Sequence, residues 1–115
     1  MALILDQSAA DWVFDQLKAR LSRLRMSTVN YAEVLILVGE RYPEARQAAM
    51  NFIEHAVKLV PPSARQAELV ALARLRYPLN LGDCFAYALA KEENCPLLTL
   101  DRDFRNCDVK VILPR

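Results

Sequence analysis

The sequence predicts an α/β domain with a mostly parallel central sheet flanked by helices. Three observations carry that expectation. Helix-period segments alternate with short apolar runs of strand length, the order expected when helices cover a parallel sheet. The composition, 54% hydrophobic and 25% charged, is that of a globular chain rather than a disordered one. Only 2 glycines occur in 115 residues, too few for a turn-rich all-β sandwich, and the length suits one domain spanning residues 1–115.

The elements follow in order. MALIL is apolar and is stopped by Asp6, too short for a signal h-region or a membrane span, which points to a cytoplasmic protein. After Ser8, a fair N-cap, AADWVFDQLKARLSRL spaces Trp12, Val13, Leu17, Leu21 and Leu24 at helical intervals, with acids early and Arg20 and Arg23 late. RLRMST alternates like a short strand, and Asn30 is read as the cap of YAEVLILVGERY. Pro43 blocks continuation in register. The next helix, EARQAAMNFIEHAV, aligns Ala45, Ala49, Phe52, Ile53 and Ala56. KLVPP is a short strand ended by two prolines. SARQAELVALARLRY opens at a Ser63 cap and runs Ala67, Val70, Ala71 and Leu75 along one face, stopping before Pro78. DCFAYALAKEEN is helical, with Leu89 and Ala90 inward and Lys91, Glu92 and Glu93 outward. Cys95-Pro96 breaks it, LLTL reads as a buried strand, and VKVILP as an outer one.

Composition excludes several chemistries. Fifteen basic against fourteen acidic residues give a net charge of +1, so overall charge decides nothing about nucleic acid. Cys84, Cys95 and Cys107 are odd in number and match no C-x-x-C pair, as expected of reduced, mostly buried thiols. His55 is the sole histidine and sits in a helical run, which disfavours a histidine-rich metal site or a Ser-His-Asp triad.

Acids at element ends are the informative feature. In open parallel sheets the cleft lies beyond the carboxyl ends of the strands, and Asp101 directly follows LLTL. Asp83 opens a helix, where a capping role competes with a functional one. Glu33 is the only charge between Asn30 and Gly39, and a lone surface acid is its plain alternative. Three acids from three elements on one cleft would repel one another unless a divalent cation held them, and oxygen ligands point to Mg²⁺ or Mn²⁺.

GDCFAYALA followed by PLLTLDRDF resembles the C-terminal half of PIN-domain proteins, in particular the VapC toxins of toxin-antitoxin pairs, and STVNYAEV resembles the segment bearing their second acid. The likeness runs from about Met26 to the end. It implies a PIN-like fold whose acids bind Mg²⁺ or Mn²⁺ and cleave RNA to 5′-phosphate and 3′-hydroxyl products. Carried over by position, the acids are Glu33, Asp83 and Asp101, with Thr99 as a neighbouring hydroxyl and Asp103 as an auxiliary or a turn residue. It also implies a VapB-like antitoxin partner and a homodimer. Two registers remain open at the start. MALILDQSA has the form of the family's first strand with Asp6 as the first acid, although the distance to Glu33 is short by about one helix. Alternatively ALILDQSAADWVFDQL matches the end of the first helix, its loop and the second helix, which makes Asp6 a loop residue. Losing a central strand would strand backbone groups on its neighbours, which favours the first register. Arg102, Arg105, Arg74 and Arg76 are candidates for phosphate contact. A catalytically impaired PIN fold that only binds RNA or a partner is the alternative function. A phosphatase-like or receiver-type domain is a third, disfavoured because no sheet-end Lys accompanies the acids.

Overall fold

A computed structural model describes residues 12, 15, 16, 18–20 and 23–113 of the chain. MALIL, Asp6, Ser8 and most of the apolar stripe drawn for the first helix lie outside the described residues. Trp12, Asp15, Gln16, Lys18 and Ala19 are helical, as the periodicity predicts.

Strand β1 (Arg25–Ser27) alternates one exposed and two buried residues and leads without a loop into helix α1 (Thr28–Arg41). The cap is Ser27 rather than Asn30. Ser27 keeps extended backbone angles and its Oγ accepts from the Val29 N–H at 3.2 Å, so the helix starts three residues earlier than expected. Asn30 thereby falls inside the first turn. It is buried with Val34 and Val38, four residues apart along one face. Tyr42 closes α1, and Pro43 starts a short 3-10 turn (Pro43–Ala45) before α2 (Arg46–Ala56). Ala56 is buried on α2, but Phe52 is about half exposed, because it lies one residue off the stripe of Ala49, Ile53 and Ala56. Strand β2 (Lys58–Val60) pairs in parallel with β1, Met26 opposite Leu59, and Pro61 and Pro62 end it.

Helix α3 (Ala64–Arg76) is capped by Ser63, whose Oγ accepts from the Gln66 N–H. Its inward face is Gln66, Leu69, Val70 and Ala73, not the set Ala67, Val70, Ala71 and Leu75; Leu75 is 86% exposed. The sequence pattern misled because a polar residue, Gln66, holds a core position. Helix α4 (Leu81–Glu93) packs most extensively against α3, and Gly82, Cys84, Tyr87, Ala88, Leu89 and Ala90 are buried on it. Leu69, Val70, Ala73, Leu79, Cys84, Tyr87, Ala88 and Phe104 form the core cluster. Asn94 ends α4 in the left-handed region at φ 51°, a helix stop that Asn tolerates, one residue before Cys95-Pro96.

Strand β3 (Leu97–Leu98) is half-buried and pairs in parallel with β4 (Val111–Ile112). The Thr99 N–H to Ile112 carbonyl bond at 3.2 Å carries the pairing one residue further. Among the described residues the strands form two parallel pairs, β1–β2 and β3–β4. KLVPP and LLTL therefore do not share a hydrogen-bonded sheet there, and β1 and β3 each have one edge with no described partner. Within LLTL, Thr99 is buried and Leu97, Leu98 and Leu100 are half-buried, so the run is less fully covered than expected.

Candidate active site

The site grows from the N-terminal ends of α1 and α4 and the turn after β3. At α4, Asn80 and Asp83 form a reciprocal capping box. The Asp83 N–H donates to Asn80 Oδ1 at 2.8 Å, and the Asn80 N–H donates to Asp83 Oδ2 at 3.4 Å. The capping role weighed for Asp83 is thus real, and Asn80 is the N-cap. At the turn after β3, the Asp101 N–H donates to Thr99 Oγ1 at 3.0 Å, and Asp101 Oδ1 accepts from the Asp103 N–H at 2.8 Å. Asp101 in this way caps a 3-10 turn, Arg102–Phe104, whose Phe104 is buried in the core. Asp103 contributes its backbone N–H to this turn.

Glu33 reaches the same place from α1. Asn30 Nδ2 donates to Glu33 Oε1 at 2.9 Å and to the Gly82 carbonyl at 2.9 Å. The Glu33 carboxyl lies against Gly82 so closely that a Cβ there would stand 2.5 Å from Glu33 Cδ. Gly82 serves close approach here; its φ is not positive, so no turn geometry requires a glycine at this position.

Electrostatics tie the three acids together. Burial pushes the Asp83 carboxyl above the usual carboxylate range, against the lowering effect of the Asn80 N–H, and the carboxylates of Asp101 and Glu33 push it further. Each acid commits one oxygen to local structure. Among the described residues no donor occupies Glu33 Oε2, Asp83 Oδ1 or Asp101 Oδ2. These are hard oxygen donors of the kind Mg²⁺ and Mn²⁺ prefer, so the donor chemistry fits such an ion. Among the described residues, however, no three His, Cys, Asp or Glu side chains gather closely enough to hold one metal ion. Asp6 lies outside the described residues.

Other candidates sort by the same criteria. Arg102, Arg105 and Arg76 are exposed, the first two beside Asp101, whereas Arg74 donates to the Leu79 carbonyl at 3.1 Å and braces the α3–α4 link. His55 is exposed at the end of α2, its Nδ1 2.7 Å from the Asn51 carbonyl. All three cysteines are free thiols, and burial raises each of them, Cys107 to about 11, which makes them poor nucleophiles. Sequence reasoning missed Asn30 as part of the site. Its spacing of three residues before Glu33 on a helix was the available signal.

The PIN domain family model matches residues 1–110. The chain belongs to the PIN-domain family. Among curated PIN relatives it is 38% identical to "Ribonuclease VapC" of Mycolicibacterium smegmatis, over 76% of this chain and 74% of that protein. It is 33% identical to "Ribonuclease VapC30" of Mycobacterium tuberculosis, over 97% of this chain and 92% of that one. A solved PIN-fold neighbour is VapBC2 from Rickettsia felis bound to a DNA fragment from their promoter; its TM-score is 0.74 at 17% identity, covering 90% of this chain and 85% of that chain. Among the described residues no helix is long and apolar enough to cross a membrane.

Proposed function

We propose that the chain is a metal-dependent endoribonuclease of the VapC type, hydrolysing RNA phosphodiesters at the cleft formed by Glu33, Asp83 and Asp101. The observation that carries this reading is the division of labour within each carboxylate. One oxygen is tied into a cap, turn or amide contact, and the other is uncommitted, while Asp101 and Glu33 both act electrostatically on Asp83. Acids placed against one another cost stability, and a cation-binding task accounts for that cost. Glu33, Asp83, Asp101 and Asp6 would hold Mg²⁺ or Mn²⁺, which supplies charge neutralisation at the scissile phosphate and a bound water of lowered pKa. The chain's own residues position the substrate: Arg102 and Arg105, exposed beside Asp101, are placed to meet backbone phosphates. Thr99 holds the Asp101 backbone so that its carboxyl caps the turn instead of swinging into solvent.

Asp6 as the first acid is supported by the form of MALILDQSA. A VapB-like antitoxin is the expected partner, supported by the resemblance to VapC toxins and by the VapBC2 assembly of the fold neighbour. RNA is the substrate that the names of the ribonuclease relatives support. The second reading is a catalytically impaired PIN protein that binds RNA or a partner; the absence of a closed three-residue cluster among the described residues favours it.

Incubating the chain with RNA and Mg²⁺ or Mn²⁺ decides between them. Cleavage that needs the ion and disappears in Asp83→Asn is the expected result. RNA retention without cleavage at any ion concentration selects the second reading.

A further inference from the structure

We propose that Asn30 and Gly82 act together as positioning residues for the Glu33 carboxylate, holding it beside Asp83; the proposal rests on the metal-site reading above. Asn30 is 2% exposed, buried in the first turn of a helix where a polar side chain has no local cap to make. Its two Nδ2 protons have one destination each, Glu33 Oε1 and the Gly82 carbonyl, both at 2.9 Å. Both destinations are acceptors only, so the amide can face them in a single orientation, nitrogen inward. One side chain thus crosses from α1 to α4 and fixes the carboxylate in the same contact. Gly82 provides the floor. The space its missing Cβ leaves is taken by the Glu33 carboxyl group.

The two residues predict different signatures. Losing a partner that orients a metal ligand weakens metal affinity about 10- to 100-fold. Asn30→Ala removes the donor and frees the Glu33 rotamer. Gly82→Ala pushes the carboxylate away, and because the clash is with the end of a flexible side chain, the fold survives. Alanine is also the better helix former, so the melting temperature should hold or rise while ion affinity falls. That opposition is one a merely structural glycine would not give.

The experiment is a calorimetric titration of the full chain with Mn²⁺ alone, on wild type, Asn30→Ala, Gly82→Ala, Glu33→Ala and the double variant Asn30→Ala/Glu33→Ala, each checked by thermal melting. The expected result is a roughly tenfold or larger loss of Mn²⁺ affinity for Asn30→Ala and for Gly82→Ala. In the Glu33→Ala background the Asn30 change should cost less than about twofold, because the two act as one unit. Wild type that binds Mn²⁺ while both single variants bind equally well overturns the proposal and leaves the metal site standing. Equal losses for Asn30→Ala with and without Glu33 overturn it too, since the amide then acts on something else. A wild-type chain that takes up no Mn²⁺ overturns the metal-site reading and this proposal with it. Should Asn30→Ala fail to fold, Gly82→Ala decides alone.

Discussion

The two ends of α4 carry acids in opposite circumstances. At the C-terminal end every carboxylate has found donors. Glu92 accepts from Ser63 Oγ and from Gln66 Nε2, both at 2.9 Å, and these bonds hold its carboxyl below the usual range. Glu93 pairs with Arg25 Nε at 2.7 Å. Asp108, from the loop before β4, accepts from Lys91 Nζ at 2.7 Å and from the Tyr87 hydroxyl, and its pKa falls to about 2. At the N-terminal end Asp83 meets burial and two further carboxylates, and its pKa rises. A helix macrodipole favours acids at its N-terminus and disfavours them at its C-terminus. The shifts these contacts produce run the other way, so specific partners outweigh the dipole at both ends. Acids matched with donors serve stability, and acids set near other acids are the candidates for a functional role.

The largest test of this contrast is Asp83→Asn. Removing the charge should cut RNA cleavage by roughly 100-fold or more, the scale seen when a transition-state electrostatic group is lost. The melting temperature should stay level or rise, because a carboxylate strained by its neighbours is replaced by a neutral isostere that can still accept from the Asn80 N–H. Asp6→Asn extends the comparison: a loss equal to that of Asp83→Asn makes Asp6 the fourth acid. Unchanged cleavage removes it from the site.

At the other end the expected effects fall on stability. Asp108→Asn gives up charge-assisted bonds from Lys91 and Tyr87, which hold the segment before β4 onto α4. With the carboxylate partly exposed, the cost should be about 1 kcal/mol, a few degrees in Tm, with cleavage and Mn²⁺ affinity unchanged. The pH dependence has a fixed sign. The folded-state pKa of Asp108, about 2, lies below the ordinary aspartate value of 3.8, so the unfolded chain binds more protons between the two. Its contribution is fully present above about pH 4 and is lost as pH falls towards 2. Wild type and Asp108→Asn should therefore differ in urea midpoint at pH 7 and converge near pH 2. A constant gap across that window would break the assignment.

How much of this was legible in the sequence follows the same division. Ser63, the apolar face of α4 and the alternation of helices with short strands are local patterns, and the structure bears them out. The inward face of α3 was not legible, because Gln66 is buried for the sake of Glu92, a partner 26 residues away, and hydropathy cannot see a tertiary hydrogen bond. Asn30 was misassigned for a related reason. Ser27, still in strand geometry, took the cap, and the amide was left to reach Gly82, 52 residues further on. Glu33, Asp83 and Asp101 could be proposed from element ends and a family likeness. Asp83 doubling as a capping residue shows why position alone leaves both roles open.

The smallest expected difference separates two caps of equal local chemistry. Ser63 and Asn80 each accept from a backbone N–H three residues on, at 3.1 and 2.8 Å, and each opens a helix of the same length. Replacing either by Ala should cost about 1 kcal/mol of stability. Their surroundings differ. Ser63→Ala also drops one donor to Glu92, on the end of α4 where acids are well supplied, so Mn²⁺ affinity and cleavage should not change. Asn80→Ala removes the side chain that accepts from the Asp83 N–H and loosens the box that fixes Asp83 Oδ2. The Asp83 carboxyl then gains rotamer freedom, and ion affinity should fall several-fold alongside the same loss in Tm. Measuring both variants by melting and by Mn²⁺ titration isolates the second effect from the first. Equal ion affinities in the two would mean that the capping box at Asp83 does nothing for the site beyond holding the helix.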